Sequence, residues 1–221
     1  MASSFAEFNK AAWKFNEEWT TIRLIGDLRS FYVFWIPIIT YTGRAVSIPK
    51  IALNWDSERH RMTTDRCPYV EAGLDGGGVY YSNAIIRSPQ RTKTIIPEKP
   101  VRIIRIPRRF YRNLCNFNAL SGKLTKSGER KCYDVSHPVF GWDIRVKINP
   151  DNQYWYYEVE RVEPTKLTAE ELGYRLLSLE VRPETLSEAR LAWQTLKALY
   201  AGEQPLKTEK PVLNWAGWGL R

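Results

Sequence analysis

Residues 21–39, TIRLIGDLRSFYVFWIPII, decide the fold class. They read as two extended runs broken at Gly26-Asp27, rich in the β-branched and aromatic residues that suit a pleated, half-buried surface. The apolar part, Phe31 to Ile39, is about half the ~20 residues that a membrane-spanning helix needs, and Pro37 interrupts it. The stretch is therefore strand-forming rather than membrane-spanning. Working outward, AVSIPKIALNW (45–55) follows a turn at Thr42-Gly43 as a further strand. GGGVYYSNAIIRS (76–88) opens with three glycines, read as a turn or flexible loop, and continues as a strand. No Gly-Lys-Ser/Thr follows, so the glycines do not form a phosphate-binding loop. In WDIRVKI (142–148), Ile144, Val146 and Ile148 fall on one face and Asp143, Arg145 and Lys147 on the other. Asn149-Pro150-Asp151-Asn152 is a turn, and QYWYYEVERV (153–162) returns as the partner strand of a hairpin.

Helical spacing is confined to the two ends. Phe5, Phe8, Ala12, Phe15 and Trp19 recur as on an amphipathic helix, either packed on the core or serving as an arm for a neighbouring molecule. Thr168 and Glu171 fit a capping box ahead of Leu172, Leu176 and Leu179. Pro183 suits the first position of a second helix, along which Leu186, Ala189, Trp193, Leu196 and Tyr200 step by three and four until Gly202. The expected organisation is an N-terminal arm (1–20), a β core (21–165), a C-terminal helical hairpin (166–203) and a tail (204–221) carrying Trp215 and Trp218. The class is mainly β, α+β overall.

Charge narrows the function. The 221-residue chain has a net charge of +9. Arg87 to Arg112 contains nine basic residues and one acid, Glu98, a local excess of +8. A basic surface this concentrated usually marks a polyanion site, although a membrane surface or an acidic partner could also use it. Its centre is VRIIRIPRRFYR (101–112), read as a buried strand. Simple alternation puts Arg102 and Arg105 on opposite faces, and a β-bulge at Ile103-Ile104 would bring them together. Arginines that track a phosphate backbone, with aromatic rings that stack bases, make a single-strand groove, because every base has a π-face and only unpaired bases offer it. The candidate binding residues are Arg87, Arg91, Lys93, Arg102, Arg105, Arg108, Arg109, Tyr111, Arg112, Arg145, Lys147, Tyr154 and Tyr156. Each aromatic also has an ordinary reading as core.

Other chemistry is thinly represented. His60 and Cys67 (H-x6-C) with Cys132 and His137 (C-x4-H) are four soft ligands of the type zinc takes, although no CxxC occurs; a surface His and a structural Cys are the plain alternative. Cys115 reads as buried. Three widely spaced cysteines do not make a disulfide framework, and MASSFAEFNK lacks the basic-then-apolar order of a signal peptide, so a cytoplasmic location is expected. With two histidines, no Ser/His/Asp arrangement is visible, and the H-x-E plus P-C-x-x-C deaminase pattern is absent. PDNQYWYYEVERV (150–162) has the order of a metal-dependent nuclease motif but carries Glu158-Val159-Glu160, without its lysine. The protein is expected not to be an enzyme.

TTIRLIGDLRSFYVFWIP (20–37), SIPKIALNWD (47–56) and RHRMTTDRCPYVEAG (59–73), followed by VYYSNAIIR, VRIIRIP and HPVFGWDIRVKI, resemble in their order the T-even-type bacteriophage single-stranded-DNA-binding, helix-destabilising proteins. The resemblance covers about residues 20–165. It implies an oligonucleotide-binding fold, a five-stranded partly open barrel with extended loops, and sequence-tolerant coating of single-stranded DNA in replication, recombination and repair. It also implies a zinc site of one His and three Cys. His60 and Cys67 match that order, whereas the paired cysteines are missing from VEAGLDGGGVYY (70–81). The family's acidic C-terminal tail has no counterpart in NWAGWGLR (214–221). Expected partners are single-stranded DNA, RNA, replication and recombination proteins, and further copies of the chain along the strand, with no membrane. The alternative is a small phage interaction factor that binds host transcription or replication machinery.

Overall fold

Thr20–Ile39 form one strand of twenty residues, β1, and not two. The computed structural model describes residues 4–40, 43–87, 100–120, 123–124, 130–131, 135–152, 156–164 and 166–199. Ahead of β1 stands helix α1 (Phe5–Ala11). After it come β2 (Ala45–Ile51), a small hairpin of β3 (Trp55–Asp56) and β4 (Arg61–Met62), the single turn α2 (Pro68–Glu71), β5 (Gly76–Ile86), β6 (Val101–Pro107), α3 (Arg108–Leu120), β7 (Lys123–Leu124), β8 (Arg130–Lys131), β9 (Trp142–Ile148), β10 (Tyr157–Pro164), α4 (Ala169–Leu172) and α5 (Leu186–Leu199).

The break expected at Gly26-Asp27 is a β-bulge. Gly26 takes φ +70°, the left-handed region that costs glycine little, and pairing with β5 shifts register between Ile25 and Arg29. β1 is the spine of a six-stranded antiparallel sheet ordered β10-β9-β1-β5-β6. β9 pairs with its first residues and β2 with its last seven, both along the edge opposite β5. The sheet is not closed, so the five-stranded oligonucleotide-binding barrel gives way to an open six-stranded sheet in a mainly β fold. The three glycines of β5 are strand and not loop: a Cβ on Gly76 would lie 2.5 Å from the Tyr32 ring and 2.9 Å from that of Phe34. Glycine is required there by close packing.

Both faces of the sheet are covered. Ile22, Leu24, Ala84, Ile104, Ile106, Ile144 and Val146 pack beneath Phe110 and Leu114 of α3 and Phe15. Phe31, Val33, Val79 and Tyr81 lie under Phe5 and Phe8 of α1. The N-terminal arm is thus packed on the core, held by a capping box at Ser4 and Glu7. Its helix ends at Ala11, well short of Trp19, because the chain turns extended to bond the edge of β6 (Trp13 N–H to the Ile103 carbonyl, 2.7 Å).

The basic stretch 101–112 changes state midway. It is strand to Pro107 and helix from Arg108. β6 pairs with β5 in unbroken register from Val101↔Ile85 to Pro107↔Val79, so no bulge unites Arg102 and Arg105, which stay on opposite faces. The helical hairpin expected at 166–203 is likewise different. The Thr168–Glu171 capping box forms but starts only the one-turn α4, leaving Leu172, Leu176 and Leu177 exposed. An extended segment follows, pinned where the Asn83 side chain bonds both the N–H and the carbonyl of Leu177 (3.0 Å each). A second capping box, Thr185 with Glu188, then starts α5 at Leu186, three residues beyond Pro183. Ala189 and Leu196 of α5 are buried against Phe34, Ile36, Cys67 and Tyr69 as the spacing required. Residues 204–221, with Trp215 and Trp218, lie outside the described residues. No helix among the described residues is long and apolar enough to cross a membrane.

Candidate nucleic-acid interface

The first turn of α3 and the β3–β4 hairpin meet around a cluster of rings. Tyr80 projects from β5, and Tyr111 of α3 stacks on it at 3.9 Å between centroids with planes 12° apart. His60, in the hairpin turn, lies 5.4 Å from Tyr80 and stacks over Tyr111 at 6.4 Å. Its Nδ1 is 3.2 Å from the Tyr80 hydroxyl, and Trp55 closes the group from behind at 6.4 Å. Burial raises the pKa of Tyr80, helped by the nearby Cys115 thiol and opposed by Arg108, so its hydroxyl stays protonated and can bond the imidazole.

The hairpin is fixed from below. Trp55 Nε1 donates to Ser30 Oγ (3.2 Å), which donates to the Ser57 carbonyl (3.0 Å). Asp56 accepts the N–H groups of Glu58 and Arg59, both at 3.0 Å. These bonds, that from Arg59 foremost, lower the Asp56 pKa. At the turn's end His60 takes φ +52°, a left-handed conformation uncommon outside glycine and asparagine.

Two of the elements that supply these rings also carry exposed cations. Arg108 and Arg112 are exposed one turn apart on α3, with Cys115 and Asn116 following on the same side. Arg59 and Arg61 are exposed on either side of His60. Helix α3 holds no acidic residue, and the hairpin has Asp56 and Glu58. Phe110 and Leu114 fix the helix by their burial, so the arginines project from a rigid element.

The other candidates separate into different roles. Arg109 is half-buried in the first turn of α3. Arg105 lies against the core with its guanidinium 4.4 Å from the Trp35 ring, and burial lowers its pKa. Arg102 is half-buried and donates to the neighbouring Val101 carbonyl. Arg87 joins Asp143 (3.2 Å) to Glu171 (3.0 Å), tying α4 to the sheet. The fully buried Arg23 stands in the same network, donating from Nη2 to the His137 carbonyl at 2.7 Å; burial lowers its pKa and Asp143 pulls it back up. Arg145 and Lys147 do share the polar face of β9, but each is opposite a glutamate of β10: Arg145–Glu160 at 3.6 Å and Lys147–Glu158 at 2.8 Å. Both cations also lie over the Trp19 ring, at 4.9 and 4.8 Å. Tyr156 is half-buried against Tyr157. Arg91, Lys93 and Tyr154 lie outside the described residues.

The proposed zinc ligands are not brought together. His60 belongs to the ring cluster, and Cys67 is buried in the core under α5. His137 Nδ1 accepts the N–H groups of Val139 and Phe140 (3.2 and 3.1 Å). Cys132 lies outside the described residues. Among the described residues no trio of His, Cys, Asp or Glu could hold a metal ion. Cys115, expected to be buried, is exposed because it falls on the outer face of α3. Sequence reasoning missed Arg59, Arg61, Trp55 and Tyr80. It also missed α3, whose signal was Pro107 followed by Phe110, Leu114 and Phe117, a helical spacing that turns Arg108 and Arg112 outward.

Comparison with known proteins adds no assignment: no protein-family model matches the chain, and no curated protein matches it.

Proposed function

We propose that this protein binds single-stranded nucleic acid, DNA foremost, without strong sequence preference and without catalysing a reaction on it. One observation carries the reading: the two elements whose rings meet at the stacked pair Tyr80–Tyr111, α3 and the β3–β4 hairpin, both carry exposed arginines, with Arg108 close enough to act on Tyr80. Arg108, Arg112, Arg59 and Arg61 supply phosphate contacts, and Tyr111, half-buried at the edge of the stack, supplies the ring surface for a base. Such contacts are sequence-tolerant, since neither the backbone charge nor the π-face distinguishes bases. The resemblance in segment order to the T-even-type single-stranded-DNA-binding proteins extends the reading to the coating and protection of phage DNA during replication, recombination and repair in the host cytoplasm. The reading rests on this site and does not require a closed oligonucleotide-binding barrel.

The test is a fluorescence-anisotropy titration of a labelled ~30-nucleotide single strand, its duplex and the matching RNA at two salt concentrations. Tightest binding of the single strand, with a log–log salt slope near 0.7 per phosphate contacted, supports the reading. No binding of any of the three at low salt overturns it. The second reading, a factor that docks on transcription or replication proteins, is then favoured by the exposed Leu172 and Leu191, 59% and 66% accessible.

A further inference from the structure

His60 lies exposed in this ring cluster, between Arg59 and Arg61 in the hairpin turn. Its Nδ1 is engaged with the Tyr80 hydroxyl at 3.2 Å, and Nε2 makes no hydrogen bond among the described residues. Histidine takes up a proton within the physiological range, and both ring nitrogens then become donors. Nδ1–H is satisfied by the Tyr80 oxygen, which leaves a charged Nε2–H for an incoming anion. Its own hairpin carries the charged groups Asp56, Glu58, Arg59 and Arg61, and the rings of Trp55, Tyr80 and Tyr111 of α3 lie against it. Arg108 and Cys115 act on Tyr80 from the same helix. Asp56 is committed to two backbone N–H groups, which lower its pKa, and lies 3.8 Å from Arg59 Nε. A bound phosphate, which the neighbouring arginines attract, favours the protonated ring.

We propose that His60 is a proton-gated phosphate contact of this interface, so that strand binding takes up a proton and tightens as pH falls towards 5.5. The inference rests on the nucleic-acid reading above. Its sign follows from linkage: the anion binds the imidazolium better than the neutral ring, so affinity is higher on the acid side of the histidine titration.

The experiment measures the affinity of the full chain for a labelled ~30-nucleotide oligothymidylate, whose bases do not titrate in this range, at pH 8 and pH 5.5 over a salt series. The wild type should bind about 5–10-fold more tightly at pH 5.5, with a salt slope steeper by about 0.7, one additional phosphate contact. His60→Asn is the control, because asparagine tolerates the left-handed backbone at this position. Whatever its affinity at pH 8, it should bind equally tightly, within about 2-fold, at pH 8 and pH 5.5 and show the same salt slope at both. Equal affinity and slope at both pH values in the wild type would overturn the role of His60 while leaving the single-strand reading in place. A pH dependence that survives in H60N would place the proton elsewhere and overturn it too. No binding at either pH would remove the functional reading and this inference together.

Discussion

Two regions of this molecule carry clustered cations, and they differ in what faces the charge. On the polar side of β9, Arg87, Arg145 and Lys147 each meet a carboxylate of the same chain: Asp143 with Glu171, Glu160 and Glu158. On α3 and the β3–β4 hairpin, Arg108, Arg112 and Arg61 are exposed with no carboxylate within 4 Å among the described residues, Arg59 lies 3.8 Å from Asp56, and the helix supplies no acid. The first region is neutralised internally and serves to fasten strands and α4. The second is neutralised only at Arg59 and leaves the charge of Arg61, Arg108 and Arg112 directed at solvent. Number of basic residues does not separate the two; the partners across the ladder do.

The comparison breaks most easily at Arg87. Arg87→Met removes a cation from a buried network that still contains Asp143 and Glu171, and it should cost roughly 2–3 kcal/mol of stability in a denaturant melt. The affinity of the remaining folded protein for single strands should stay unchanged. If R87M weakens binding without destabilising the fold, the division between the regions fails. Reversal of the exposed pair, R108E/R112E, should do the opposite: binding about 100-fold weaker at moderate salt with a near-wild-type melt, while the neutral pair R108Q/R112Q lowers the salt slope by about 1.4. Tyr111→Ala should reduce affinity about 10-fold, within the ~1–3 kcal/mol that a stacked base contributes, and Tyr111→Phe should restore most of it. The smallest effect belongs to R145Q/K147Q. Because both side chains are already paired with glutamates, affinity should change by less than about 2-fold. A larger loss would move the interface to the β9–β10 hairpin.

How much of this could be read from the sequence depended on how local the determining interaction is. The β9–β10 hairpin follows from strict alternation around Asn149-Pro150-Asp151-Asn152, and the capping box at Thr168 and Glu171 is local chemistry, so both were legible. Where a third element decides the outcome, pattern failed. Gly76 reads as loop until the Tyr32 and Phe34 rings are packed against it. The arginines of 101–112 look equivalent as a string, yet Pro107 ends a strand and the next residue begins a helix. Arg105 is thereby turned against Trp35, and Arg108 and Arg112 face outward. His60 looked like a ligand because His and Cys are scarce and were paired by spacing. Its neighbours, Tyr80 and Tyr111, lie 20 and 51 positions further along the chain. The glutamates that neutralise Arg145 and Lys147 were visible in the sequence as Glu158 and Glu160, and the hairpin register, once drawn, sets each opposite its cation.

The long central strand has a consequence in time. β1 pairs with β2 and β5 nearby in the chain, but its first residues, Thr20 to Arg23, wait for Val146 to Asp143, more than a hundred positions later. Loop closure over that distance is slow, and folds dominated by such pairings form in milliseconds to seconds. During synthesis the alternating apolar residues Ile22 and Leu24 stand with one strand edge unfilled until β9 has emerged. That interval is when this chain is most exposed to pairing with another copy of itself. Refolding yield should therefore fall with protein concentration more steeply than native stability would suggest, and excess isolated β9–β10 hairpin peptide added during refolding should compete for the β1 edge.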